Sequence, residues 1–99
     1  MALPKKYYRD LYRLFCAIET EREAKMLLED ILAPRELDSV AKRWQEIQAL
    51  AAGLPQRDIA RKLRISMSKI TRGSRMLQYG SGGFRHFLRK LGKKVHTKN

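Results

Sequence analysis

Leu11, Leu14, Phe15 and Ile18 recur at i, i+3, i+4 and i+7, the period of a helix with one apolar face. They predict a first helix over about residues 4–19, with Pro4 suited to its first turn. Thr20 and Glu23 form a capping-box pair ahead of a second helix, about 21–31, that carries Met26, Leu27, Leu28, Ile31 and Leu32. Pro34 opens a third helix and Gly53 closes it by supplying a left-handed residue. Its stripe of Leu37, Val40, Ala41, Trp44, Ile47 and Ala51 makes it the predicted central helix. Two further helices are expected at about 56–63 and 67–78. After the flexible joint Y-G-S-G-G, Phe84, Phe87, Leu88 and Leu91 share one face of a last short helix that Gly92 ends. No strand-like alternation, internal repeat or long linker interrupts this series, so the expected fold class is all-α. The domain is expected to span residues 1–92, and the basic segment 93–99 is expected to be a disordered tail.

The pair at 56–78 carries the most information. Ile59, Ala60 and Leu63 line one face of a short helix, Ile65 turns the corner, and Met67, Ile70, Ser74 and Leu77 continue at helical spacing. Ala60 is small where the second helix must approach. The opposite face of that second helix is Ser68, Lys69, Thr71, Arg72 and Arg75, which suits entry into a DNA major groove. In the turn, Arg64 stands where glycine would accept a left-handed conformation without strain.

Charge points the same way. Residues 1–58 hold ten Lys or Arg and ten Asp or Glu, whereas residues 59–99 hold twelve Lys or Arg and no acid, so the whole net charge of +12 lies in the second stretch. A polyphosphate partner accounts for that one-sidedness through counterion release, and a merely solubilising surface would mix the signs. With the helix-turn-helix pattern, the expected partner is therefore double-stranded DNA. A non-specific nucleic-acid coat is the alternative, and a last helix of about two turns is too short for a membrane-surface role.

The remaining chemistry is sparse. One cysteine, Cys16, rules out an intrachain disulfide framework and fits a cytoplasmic protein, as does a start without a signal-peptide hydrophobic segment. His86, His96 and Cys16 have no zinc-ligand spacing, and no nucleophile, base and acid set suggests catalysis, so no metal, no catalytic residue and no required cofactor are expected. The scattered acids are read as sitting mostly on the polar faces of helices. Ninety-nine residues with short, crowded apolar faces suggest a core completed by a second copy, and a two-fold dimer suits a palindromic site with half-sites about one helical turn apart.

The segments L-A-P-R-E-L at 32–37, Arg43, A-A-G at 51–53, Q-R-D-I-A at 56–60 and I-T-R-G-S at 70–74 resemble the Trp repressor family. The resemblance covers about half the chain. It implies a six-helix, intertwined homodimer with the helix-turn-helix fourth and fifth, repressing transcription at operator DNA with L-tryptophan as corepressor. It also implies operator contacts at Gln56, Arg57, Met67, Ser68, Lys69 and Thr71. Arg57 has the fork that meets guanine O6 and N7 together, while Arg61, Lys62 and Arg75 are expected to meet phosphates.

The same resemblance places an indole between Arg43 and Arg72, beside Gly73. A guanidinium stacks on an aromatic ring and grips a carboxylate. Three residues depart from the family's pattern: Ala33 replaces a threonine, Met76 replaces a serine that helps hold the ligand's amino group, and Trp44 replaces a smaller aliphatic residue. Trp44 is either a built-in substitute for the ligand or a core residue of the central stripe. Two versions follow, a tryptophan-dependent regulator and a ligand-independent one in which Trp44 and Met76 close the gap.

Overall fold

Six helices follow one another in the computed structural model, which describes residues 2–95: α1 (Lys5–Cys16), α2 (Glu21–Ile31), α3 (Pro34–Ala51), α4 (Gln56–Leu63), α5 (Met67–Tyr79) and α6 (Gly83–Lys90). All regular structure among these residues is helical. No helix there is long and apolar enough to cross a membrane. The first helix stops three residues earlier than its periodicity predicts, because the Ala17 amide bonds both Arg13 O and Leu14 O and tightens the last turn.

Local chemistry fixes the other ends. The Thr20 hydroxyl accepts from the Glu23 amide at 3.1 Å, and the Glu23 carboxylate reaches back to the Glu19 amide at 2.9 Å. Ala33 cannot cap α3 with its side chain, yet its amide donates to Glu36 Oε1 at 2.7 Å, so half of a capping box survives there. Gly53 takes φ 87° after α3 and lets the Leu54 amide return to Ala49 O. Past α5, Arg85 Nε of α6 donates to Leu77 O at 2.9 Å and satisfies a carbonyl that the helix end leaves free.

The turn between α4 and α5 is built in the same way but at a cost. Arg64 adopts φ 54° and ψ 52°, and both its amide and that of Ile65 return to Ala60 O. A left-handed non-glycine residue costs about 1–2 kcal/mol, while glycine adds a smaller entropy cost in the unfolded chain. Arg64→Gly is therefore expected to stabilise the fold by about 0.5–1 kcal/mol, read as a higher urea midpoint. A lower midpoint would mean that the arginine stem supports the turn.

The chain divides into two compact units between Leu37 and Asp38. The first has no buried residue, and α1 leaves Tyr7, Tyr8, Leu11, Leu14 and Phe15 exposed. The second contains the core. Ile47 and Ala51 of α3 cluster with Leu88 of α6, and Trp44, Leu50, Leu77, Phe84 and Val95 pack around them. Ile59 of α4 and Ile70 of α5 are also fully enclosed, and these two helices pack against each other. Each such side chain contributes about 1.5–3 kcal/mol of burial.

Two expectations need correction, and a third has an exception. The stripe on α3 is buried only towards its end, because Val40 and Ala41 remain exposed. The acids are exposed, as expected of most of them, with Glu46, buried in that same half, as the exception. The tail expected from residue 93 begins ordered: the Lys93 amide donates to Leu88 O at 2.8 Å, and Val95, the single aliphatic residue of the segment, packs on the core. The rest of that expected tail, 96–99, lies outside the described residues.

Candidate nucleic-acid interface and its buried carboxylate

Ser66 starts α5: its hydroxyl accepts from the Lys69 amide at 3.3 Å and its carbonyl from the Ile70 amide at 3.1 Å. From that start the helix turns Ile70, Gly73, Ser74 and Leu77 inward. Met67, which its spacing assigned to the inner row, is 48% exposed, while Gly73 is buried in that row. The outward face is Met67, Ser68, Lys69, Thr71, Arg72 and Arg75, all exposed, with Gln56, Arg57, Arg61 and Lys62 exposed on α4. The expected contact residues are thus all exposed, and they lie on two helices that pack against each other.

Their side chains are not equally free. Asp58 holds Arg61 at 2.6 Å across an exposed turn, a pair worth about 0–1 kcal/mol that a phosphate can displace. The Thr71 hydroxyl donates to Met67 O at 3.0 Å, and Ser68 Oγ lies 3.2 Å from Ser66 Oγ. Arg57, Lys62, Lys69, Arg72 and Arg75 have no ion-pair partner among the described residues, where the pairs are Lys25 with Glu29 and Arg61 with Asp58. Five unpaired cations, with Asp58 the one acid interleaved among them and already paired to Arg61, make a surface that lowers its own repulsion by binding polyanions.

Behind that surface lies Glu46, 5% exposed, with its carboxyl against Gly73. A side chain at position 73 would meet Glu46 Oε2 inside contact distance, so any residue larger than glycine fits there only if the Glu46 carboxylate moves. Burial pushes the Glu46 carboxyl above its ordinary value of 4.5, while the charges of Arg43 and then Lys69 pull it down. No described hydrogen bond or ion pair engages its carboxylate. The signal in the sequence was Gly73, a glycine inside a helix, which marks close approach; nothing in the spacing named the approaching group as an acid.

The candidate ligand residues fall into two groups. Trp44 stacks on Phe84, with centroids 6.4 Å apart at 28°, and with Met76, Phe87 and Leu91 lines an apolar cavity of about 510 Å³. Arg43, Arg72 and Gly73 do not line that cavity; Gly73 faces Glu46, and Arg43 precedes Glu46 by one turn of α3. Trp44 also packs on the Ile47 cluster, in accord with its place in the central stripe. The remaining histidine in view, His86, lies edge-on to Phe87 at 5.1 Å. No group of three metal-ligating side chains occurs among the described residues.

Residues 7–92 match a protein family described as Trp repressor protein. Over 60 residues the chain is 43% identical to the Trp operon repressor homolog of Chlamydia caviae, covering 60% of this chain and 59% of that one. Over 87 residues it is 34% identical to the Trp operon repressor homolog of Chlamydia trachomatis serovar L2, covering 87% of this chain and 76% of the other. Its fold superposes on the crystal structure of a TrpR-like protein from Eubacterium eligens with a TM-score of 0.85 at 25% identity, over 92% of this chain and 94% of that one.

Proposed function

This chain belongs to the Trp repressor family, and from that premise we propose that it is a homodimeric, sequence-specific repressor that inserts α5 into the major groove of operator DNA. One observation carries the reading: Ile70 and Gly73 anchor α5 from inside while Ser68, Lys69, Thr71, Arg72 and Arg75 stand unburied on its outer face. A groove-reading helix needs both properties, since a loosely held helix loses its register on the bases. The exposed apolar row of α1 supports a second copy as partner, because unpartnered side chains of that size favour association. No catalytic step and no membrane partner enter this function, and its place is the cytoplasm.

L-tryptophan is proposed as the effector, held between Arg43 and Arg72 beside Gly73 and biasing the angle of α5. Such a ligand shifts the protein only by its differential affinity for the DNA-ready state.

Division of labour within the surface gives the test. Arg57→Ala is expected to lower operator affinity by about 1–3 kcal/mol and to spare random duplex, as loss of a bidentate base contact does. Lys62→Ala is expected to weaken both duplexes equally and to reduce the slope of log affinity against log salt by about one. Titrating wild type and both variants on operator and random duplex at several salt concentrations reads this out. Comparable wild-type affinity for the two duplexes would replace the repressor by a non-specific coat.

A further inference from the structure

We propose that Glu46 is the acceptor for the ammonium group of the effector, which makes the site selective for a zwitterionic aromatic amino acid over the same ring and carboxylate without an amine. The inference rests on the effector reading of the Arg43, Arg72 and Gly73 site and adds a residue to it.

Glu46 is 5% exposed and unpartnered among the described residues. Its carboxylate oxygens have no protein donor among the described residues yet are not sealed from solvent, so an ammonium can reach them and supply the missing partner. Alternative carboxylates in the second unit are few. Asp58 is already held by Arg61 at 2.6 Å, and Asp38 lies more than two turns before Glu46 on α3. Beside Glu46 stand Arg43, one turn earlier on α3, and Lys69, one turn before Gly73 on α5. Arg43 and Lys69 both act on its charge.

One negative centre rimmed by cations discriminates by charge. A pure anion meets the cations but is repelled by Glu46, and a pure amine has the opposite difficulty. A zwitterion satisfies both, its carboxylate on an arginine and its ammonium on Glu46. Met76 has no acceptor strong enough for an ammonium, so the acid on α3 takes a task that α5 does not perform.

The test is calorimetric titration of the full chain with L-tryptophan, L-phenylalanine, L-tyrosine and indole-3-propionate, the last having the ring and carboxylate of tryptophan without its amine. Tryptophan is expected to bind at least ~10-fold more tightly than indole-3-propionate, because the analogue leaves Glu46 unpaired. Glu46→Gln, with helix content checked by circular dichroism, is expected to lose that preference while holding indole-3-propionate unchanged or more tightly. Equal binding of tryptophan and indole-3-propionate to wild type would overturn the role of Glu46 and leave tryptophan as effector, with no variant needed. Binding of phenylalanine or tyrosine in place of tryptophan, lost in Glu46→Gln, would sustain the role of Glu46 and remove tryptophan. Heat from none of the four would overturn both.

Discussion

Ile70→Ala is expected to destabilise the fold by about 2–5 kcal/mol, because the lost methyl groups leave a cavity that a short helix cannot close. Ile70 is 0% exposed on α5. Set against a total stability of about 5–15 kcal/mol for a domain, the loss lowers the melting temperature by on the order of 10 °C or more. Operator binding should fall with it, since the helix that reads the groove is the one left without its anchor. Lys69→Ala, one residue away and exposed, supplies the contrast: stability within about 0.5 kcal/mol of wild type, with weaker DNA binding. Urea unfolding and DNA titration of the two variants check the pair. An Ile70→Ala protein as stable as Lys69→Ala would remove Ile70 from the account of how α5 is held.

Gly73→Ala has the second large effect, and its origin is identifiable by a double mutant. The new methyl group would fall 3.0 Å from the Glu46 carboxyl carbon and 3.5 Å from Leu50 Cδ1, and nearer still to Glu46 Oε2. The Glu46 carboxyl must turn away to admit the methyl group, so overpacking of about 1–3 kcal/mol is expected in spite of the better helix propensity of alanine. In a Glu46→Ala background the clash is gone, and the same substitution is expected to be neutral or to stabilise by up to ~1 kcal/mol. Thermal melts of the four proteins of this cycle give the coupling. Equal effects of Gly73→Ala in both backgrounds would show that the glycine is needed for backbone reasons unrelated to Glu46.

The six helices were legible in the sequence because of local signals: a cap at Thr20, a stop at Gly53, and apolar residues at helical period. The outer face of α5 was legible for the same reason, as Ser68, Lys69, Thr71, Arg72 and Arg75 fall on one side by arithmetic alone. Even Arg64 was marked, since a turn of that length calls for a left-handed residue and the structure supplies one at φ 54°.

Periodicity says which residues share a face but not what lies across from it. It therefore placed Met67 inside, where the start of α5 leaves it exposed, and did not single out Glu46, which is buried against Gly73. Trp44 shows the same limit, because its stripe was readable but its partner Phe84, forty residues later, was not. Local order and surface chemistry were thus set by the chain's short-range pattern of apolar, charged and turn residues. Burial, and with it the charge state of Glu46 and the division of the candidate ligand residues between two places, was set by contacts between helices distant in sequence. Solvation depends on what surrounds a group in space, and only the tertiary structure decides that.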